Sequence, residues 1–274
     1  MSAHYLQPGT TLPYCKGCSH GVVLRALGGA LEKLQVPPVE LAIVTDIGCV
    51  GLADAQFVTP HTIHTTHGRS TAFAGGLALA DSVLGGGKLK AVVLIGDGGA
   101  MIGLNHLVNA ALLNPDVTVL VHNNFLFGMT GGQNSAFTPL DFVTSTTPAG
   151  NTTPPLDLAQ LLLAARAPFV ARKLATDRDL ADVLARAIDH PGFAVVEILE
   201  LCTAYATRWN ALTGAQLKQV ADRCGFQLGI LRDERRPLFA DSYRELASRV
   251  RPKASRGAFV KGPRAKLSKP VGVI

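Results

Sequence analysis

The segment Ala91-Val-Val-Leu-Ile-Gly-Asp-Gly-Gly-Ala100 decides the fold. Its five leading apolar residues predict a buried strand, and the three glycines that follow allow a ligand to approach the backbone closely. A helix is expected directly afterwards, and the free amides at the start of a helix can bind phosphate. Asp97 could hold a divalent cation beside that phosphate. Taken alone, however, the segment is equally compatible with a purely structural turn.

Other apolar runs along the chain have the same character. They are continuously apolar instead of alternating, which is typical of parallel strands that are covered on both faces. Helical patterns lie between them, so the sequence predicts an α/β fold with a doubly wound, mostly parallel sheet. Ser19 and Ser70 are the expected N-caps of two helices. The predicted strands are 41–44, 91–95, 117–121 and 194–198, and the predicted helices are 19–34, 70–84, 103–113, 156–165, 177–189 and 214–224.

Composition and charge exclude several functions. The 274 residues are 47% hydrophobic, enough for one large domain with a sizeable core. The net charge is +6, but eight Lys or Arg and no acid follow Glu245, so the remainder carries 6 − 8 = −2. A nucleic-acid partner is therefore not expected. Neither an export signal nor a membrane-spanning run is present, which predicts a cytoplasmic protein without a membrane partner.

A second polar site follows the next predicted strand. Asn124 lies 27 residues after Asp97, and oxygens at adjacent strand ends can face one Mg²⁺ ion. Gly-Asp-Gly followed at this distance by Asn-Asn resembles the thiamine-diphosphate motif. That resemblance implies that Asp97, Asn124 and the backbone carbonyl of Leu126 bind Mg²⁺. An asparagine-rich turn after a strand is the alternative interpretation.

The cysteines form a third candidate site. Cys15 and Cys18 make a Cys-x-x-Cys pair, while Cys49, Cys202 and Cys224 are far apart in the sequence. In a reducing compartment such residues favour metal ligation over disulfides. Their spacing alone fits a four-iron four-sulfur cluster, a zinc site or unlinked core cysteines.

The surroundings of these cysteines resemble the beta subunits of 2-oxoacid:ferredoxin oxidoreductases, most closely those of the 2-oxoglutarate type. The motifs occur in the order of that family and span roughly residues 14–210. They are Tyr14-Cys-Lys-Gly-Cys-Ser-His20, Asp46-Ile-Gly-Cys49, His67-Gly-Arg69, Asn105-His106, Asn123-Asn124, Phe127-Gly-Met-Thr-Gly-Gly-Gln133 and Leu201-Cys202.

The resemblance implies roles for individual residues. Cys15, Cys18, Cys49 and Cys202 would bind one four-iron four-sulfur cluster, whereas Cys224 matches no ligand and is expected to pack in the core. His67 is the candidate catalytic residue, which would polarise the 2-oxo group or orient the substrate carboxylate. The expected thiamine-diphosphate contacts are Ile47, Gly48, Cys49, His67, Gly68, Gly96, Gly98, Gly99, Asn124, Met129 and Thr130.

The resemblance also implies an activity and an organisation. The activity is coenzyme A-dependent oxidative decarboxylation of a 2-oxo acid, with 2-oxoglutarate favoured and pyruvate next, and with electrons passing through the cluster to ferredoxin. The expected partner is an alpha subunit, or alpha plus gamma subunits. We expect an N-terminal arm (1–13), a thiamine-diphosphate-binding domain with the iron–sulfur site (14–212) and a C-terminal helix with a basic tail (213–274).

Two other functions share part of these features. A thiamine-diphosphate decarboxylase or synthase without redox chemistry would use Asp97 and Asn124 but not the cysteines. A module that binds zinc and nucleic acid would use Cys15, Cys18 and the basic tail. Iron content and nucleic-acid binding distinguish the three functions.

Overall fold

The computed structural model describes residues 5–9, 11–59 and 61–250. Continuous burial along most strands matches their apolar sequences, because both faces of the sheet are covered. The strands are β1 (Leu41–Thr45), β2 (His61–His64), β3 (Lys90–Gly96), β4 (Val117–Asn123), β5 (Leu126–Phe127), β6 (Gln133–Asn134), β7 (Phe169–Leu174), β8 (Ala194–Leu199) and β9 (Gly229–Asp233).

Seven of these strands form one sheet in the order β2-β1-β3-β4-β8-β7-β9, and β5 and β6 form a separate antiparallel pair. Within the large sheet every neighbouring pair is parallel except β7 and β9. The predicted mostly parallel sheet is therefore confirmed. Since β1, β3 and β4 are adjacent and parallel, their carboxyl ends lie side by side at one edge of the sheet.

Helices cover both faces of the sheet. Buried residues of α1 and α6 pack with Leu94 on one face, whereas those of α2, α4 and α5 pack with Val93 on the other. Successive strand residues point to opposite faces, so each strand contributes to both apolar layers. The helices are α1 (Ser19–Leu34), α2 (Ser70–Ala80), α3 (Asp97–Ile102), α4 (Leu104–Leu113), α5 (Leu158–Ala164), α6 (Leu180–Asp189), α7 (Ala206–Asn210), α8 (Leu217–Arg223) and α9 (Phe239–Val250).

The predicted serine caps are wrong. Cys18 and Arg69 occupy the N-cap positions, and neither side chain caps its helix. The Ser19 hydroxyl instead accepts a hydrogen bond from the Leu201 amide, and the Ser70 hydroxyl donates to a buried carboxylate. Tertiary partners have thus replaced the local caps that the two sequences offered.

Other differences concern the strands β7 and β9 and the end of α2. The sequence predicts neither strand, and β9 pairs antiparallel with the outer side of β7. The helix expected to run to Leu84 ends as α2 at Ala80 and continues as a π-helical turn over Asp81–Gly85. These changes leave the carboxyl edge of β1, β3 and β4 intact.

The N-terminal segment lies on the main body. Tyr5 is buried and donates its hydroxyl to the Val36 carbonyl at 2.5 Å, while Leu6 pairs with Phe57. Residues 251–274, which carry most of the predicted basic tail, lie outside the described residues. Among the described helices, none combines the length and apolarity that crossing a membrane requires.

Candidate functional site

Three neighbouring strands deliver polar side chains to one cavity. Asp46, Asp97 and Asn124 directly follow β1, β3 and β4. This is the edge at which open α/β sheets bind ligands. The cavity there has a volume of about 220 Å³. Its lining residues are His20, Ile47, Gly48, Cys49, Val50, His67, Gly96, Asp97, Gly98, Gly99, Ile102, His122, Asn124, Leu126, Phe127, Gly128, Met129 and Thr130.

Asp97 presents a carboxylate oxygen without a partner. The residue begins α3 and is only 4% exposed. Its Oδ1 accepts the Gly98 amide at 2.8 Å, but Oδ2 has no hydrogen-bond partner among the described residues. Burial raises the pKa of this carboxyl to about 7. A buried oxygen that lacks a protein partner is the kind of group a metal ion would satisfy.

Asn124 and Leu126 form the opposite wall. The Asn124 side chain is buried and its Oδ1 accepts the Leu126 amide at 3.2 Å. Between them Phe125 has a φ of +69°, a left-handed conformation that is unusual for an aromatic residue. The turn therefore bends sharply after β4 and brings both predicted ligands to the cavity.

Glycine is required where β3 passes into α3. A Cβ on Gly98 would lie 2.9 Å from Cε1 of Phe127, and one on Gly99 would lie 2.6 Å from Oδ1 of Asp46. A side chain on Gly98 would therefore meet the cavity wall at Phe127, and one on Gly99 would meet the buried carboxylate of Asp46. Glycine at these two positions thus lets α3 begin directly beside Phe127 and Asp46.

Asp46 organises the His67 segment, a role that the sequence analysis missed. Its fully buried carboxylate accepts the Gly68 amide, the Ser70 hydroxyl at 2.8 Å and the Ile47 amide at 2.9 Å. It also accepts Nδ1–H of His67 at 2.7 Å. Because the Asp46 bond fixes Nδ1 as the donor, the other ring nitrogen of His67 is available to a ligand.

Most of the predicted cofactor contacts lie together. Ile47, Gly48, Cys49, His67, Met129 and Thr130 line the cavity with the glycines and Asn124. Gly68 does not line it, because its amide is turned toward Asp46 and a Cβ there would meet Ile102 at 2.5 Å. The predicted contact of Gly68 with the cofactor stays a prediction.

The four predicted cluster cysteines share a second cavity of about 210 Å³, which Cys15, Cys18, Cys49 and Cys202 all line. This cavity shares five lining residues with the first: His20, Cys49, Asn124, Gly128 and Met129. A Cβ on Gly128 would lie 3.6 Å from the sulfur of Cys49 and 3.9 Å from that of Cys202. The cysteine cavity is thus in direct contact with the cavity that holds Asp97.

Burial keeps two thiols of this group in the protonated form. Burial raises the pKa of Cys18 to about 12, and burial together with Cys202 raises that of Cys49. Thiols in such a setting stay protonated until a metal replaces the proton. Cys224, at the end of α8, does not line this cavity and packs against the apolar cluster that also contains Cys202.

A buried triad of His20, His122 and Glu200 lies between the two cavities. Each imidazole donates Nδ1–H to a different oxygen of Glu200, at 2.6 Å for His122. Burial alone would raise the pKa of Glu200, but the two histidines lower it to about 2. The sequence alone does not reveal this triad, because His20 and Glu200 are 180 positions apart.

Comparisons with known proteins agree with this site. Residues 46–198 match the family model described as thiamine pyrophosphate enzyme, C-terminal TPP binding domain. The 2-oxoglutarate synthase subunit KorB of Archaeoglobus fulgidus is 40% identical over 194 residues, 70% of either chain. The 2-oxoacid:ferredoxin oxidoreductase subunit beta of Saccharolobus solfataricus is 34% identical over 70% of this chain and 62% of its own.

A solved structure gives the same result. A 2-oxoglutarate:ferredoxin oxidoreductase from Magnetococcus marinus, with 2-oxoglutarate, coenzyme A and succinyl-CoA bound, superimposes with a TM-score of 0.77. It is 25% identical, and the match covers 89% of both chains. The fold and the site thus define a thiamine-pyrophosphate-binding enzyme domain. Within that class, the chain belongs to the family of 2-oxoacid:ferredoxin oxidoreductase beta subunits.

Proposed function

We propose that this chain binds thiamine diphosphate in an enzyme that oxidatively decarboxylates 2-oxoglutarate. One 2-oxo acid anion and one coenzyme A thiol give acyl-coenzyme A, carbon dioxide, one proton and two electrons. 2-Oxoglutarate is favoured over pyruvate because the names of the Archaeoglobus fulgidus relative and the Magnetococcus marinus structure include it. The observation that carries the proposal is the direct contact between the Asp97 cavity and the cavity of four cysteines.

The Asp97 cavity fits Mg²⁺ and a diphosphate. Asp97 offers a buried oxygen without a protein partner, and Asn124 and the Leu126 carbonyl would complete the protein ligands. Gly98 and Gly99 line the same cavity beside Asp97. Bound thiamine diphosphate supplies the nucleophilic carbon that makes decarboxylation of a 2-oxo acid possible.

His67 is the proposed substrate contact of this chain. Asp46 fixes Nδ1 of the ring, so the opposite nitrogen can hydrogen-bond the 2-oxo group or the carboxylate of a substrate. The side chain is 39% exposed and therefore accessible from the cavity. The remaining substrate contacts are assigned to the partner, an alpha subunit or alpha plus gamma subunits.

Cys15, Cys18, Cys49 and Cys202 are the proposed ligands of a four-iron four-sulfur cluster that receives the electrons. Cys49 lines both the cysteine cavity and the cofactor cavity, as do Gly128 and Met129. Ferredoxin is the proposed acceptor, as the name of the Saccharolobus solfataricus relative indicates for that protein.

Anaerobic co-purification of the full chain with its partner tests the proposal. We expect a brown complex with iron and sulfide, which reduces viologen when 2-oxoglutarate and coenzyme A are supplied together. Pyruvate and branched-chain 2-oxo acids are tested in the same assay for comparison. A colourless complex that binds thiamine diphosphate would indicate a non-redox enzyme. Zinc without iron, combined with salt-sensitive nucleic-acid binding, would indicate the zinc module.

Two cysteine variants provide a matched pair. Cys49→Ser should lose most of the iron and the visible absorbance, because it removes a ligand from the shared wall of both cavities. Cys224→Ser should keep wild-type iron content, because Cys224 packs outside the cysteine cavity. Equal iron content in the two variants would contradict the assigned ligand set.

A further inference from the structure

A buried ion pair lies beneath the Asn-Asn turn. Arg172 on β7 and Glu197 on β8 are direct neighbours in the sheet, and both side chains are completely or almost completely buried. Nε of Arg172 donates to Oε2 of Glu197 at 2.8 Å. Asp157 accepts a second hydrogen bond from the guanidinium, which also lies 4.2 Å from the centre of the Phe226 ring. These contacts compensate the positive charge within the core.

The other oxygen of Glu197 holds the turn. Oε1 accepts a hydrogen bond from the side-chain amide of Asn123 at 2.8 Å. A carboxylate can only accept, so Asn123 must present its NH₂ group to Glu197 and its carbonyl oxygen to the opposite side. That oxygen accepts the Phe125 amide at 3.1 Å. Glu197 thereby determines which end of the Asn123 amide meets the backbone of the turn.

The backbone that Asn123 holds is unfavourable on its own. Phe125 adopts a φ of +69°, and a residue with a side chain resists this conformation. Its amide is bonded to Asn123, and its carbonyl accepts the Thr138 hydroxyl at 2.5 Å. The residues on either side, Asn124 and Leu126, are the proposed Mg²⁺ ligands. The position of both ligands therefore depends on the bond between Asn123 and Phe125.

We infer that Arg172 and Glu197 are positioning residues for the Mg²⁺ site, acting through Asn123. This inference rests on the proposed function, and it adds to the Mg²⁺ site an ion pair on the neighbouring strands β7 and β8. Neither residue lines the Asp97 cavity, so they act on the ion only through the turn. An outer partner of this kind contributes about 10–100-fold to metal affinity in other sites.

An exchange of donor and acceptor tests the inference. Glu197→Gln places an NH₂ group against the NH₂ group of Asn123, and Asn123→Asp places a carboxylate against Glu197. In the double variant the introduced amide donates to the introduced carboxylate, which can still accept the Phe125 amide. Total charge and side-chain size are retained. Thr118→Val is the control, because Thr118 is buried on β4 and bonds the Ala187 carbonyl, away from the turn.

The experiment measures Mn²⁺ binding to the full complex by the loss of the free-ion EPR signal, with thiamine diphosphate in excess. We expect each single variant to bind Mn²⁺ about 10-fold more weakly and the double variant to recover to within about threefold. Thr118→Val should lose thermal stability without losing Mn²⁺ affinity.

The outcomes separate this inference from the proposed function. Wild-type binding by both single variants would overturn the positioning role and leave the function standing. A wild-type complex that does not bind Mn²⁺ with thiamine diphosphate would overturn both. Where a single variant fails to fold, the double variant decides: recovered affinity supports the role, and affinity about 10-fold below wild type overturns it.

Discussion

Two buried aspartates follow neighbouring strands, and their surroundings differ. Asp46 after β1 receives hydrogen bonds from three amides, a hydroxyl and an imidazole on both of its oxygens. Asp97 after β3 keeps one oxygen without a partner among the described residues. The same side chain at the same kind of strand end thus organises a loop in one case and is left available for a metal ion in the other. The residue type is the same, and the two roles differ in whether both carboxylate oxygens accept hydrogen bonds from the protein.

The largest expected effect is on Asp46. Asp46→Ala leaves the Gly68 amide and the Ser70 hydroxyl buried without an acceptor, so we expect the free energy of unfolding to fall by about 3–5 kcal/mol. Urea denaturation of the metal-free chain measures this change. Asp54→Ala, at a half-buried position nearby, is the control and should change stability by less than about 1 kcal/mol. A loss that small for Asp46→Ala would end the contrast between the two aspartates.

Asp97→Asn should weaken metal binding without weakening the fold, whereas Asp46→Ala weakens the fold. We expect Mg²⁺ affinity in the presence of thiamine diphosphate to fall by more than about 100-fold, beyond the loss typical of an outer partner. The metal-free chain should remain folded, because this change removes a charge whose burial is costly enough to raise the pKa of the carboxyl to about 7. Calorimetric titration and thermal unfolding measure the two properties. Loss of folding together with affinity would show that Asp97 is structural.

The raised pKa of Asp97 gives a dependence on pH. Its folded pKa of about 7 exceeds the unfolded value, so the metal-free protein binds a proton more tightly than the unfolded chain does. The stability contributed by the protonated carboxyl is complete below the unfolded pKa and is lost as the pH rises to about 7. Asp97→Asn should abolish this component. Urea denaturation between pH 5 and pH 8 measures the free energy of unfolding of both proteins against pH. Equal slopes for wild type and Asp97→Asn would contradict the assignment of this pH dependence to Asp97.

His67 should matter for turnover more than for folding. His67→Ala removes the proposed substrate contact, and we expect kcat/KM for the 2-oxo acid to fall by about 10–100-fold. The change also deletes the hydrogen bond from Nδ1 of His67 to Asp46, so the free energy of unfolding should fall by about 1.5 kcal/mol. Steady-state viologen reduction measures the effect. Activity equal to wild type would remove His67 from the site.

The smallest effect is expected for Ser70. Ser70→Ala deletes one hydrogen bond to Asp46 and leaves the other donors in place, which should lower the free energy of unfolding by about 1.5 kcal/mol. Urea denaturation measures this as well. A loss as large as that of Asp46→Ala would show that the hydroxyl, not the carboxylate, holds the loop together.

The sequence alone was enough to predict four strands of the parallel sheet and to place two candidate ligand residues at its edge. Continuous apolar runs reflect burial on both faces, so they identified β1, β3, β4 and β8. Gly-Asp-Gly and Asn-Asn placed Asp97 and Asn124 at the ends of adjacent strands. These features are local, because each depends on residues within one element and the turn after it.

Which buried groups pair with each other depends on the tertiary structure. Glu200 meets His20 across 180 positions, and Ser19 and Ser70 bond to distant groups instead of capping their helices. The edge strand β9 likewise depends on β7, to which it pairs. Hydrogen bonds between remote segments form only when folding brings them together, and their energy outweighs local preference because an unpaired polar group in the core is costly.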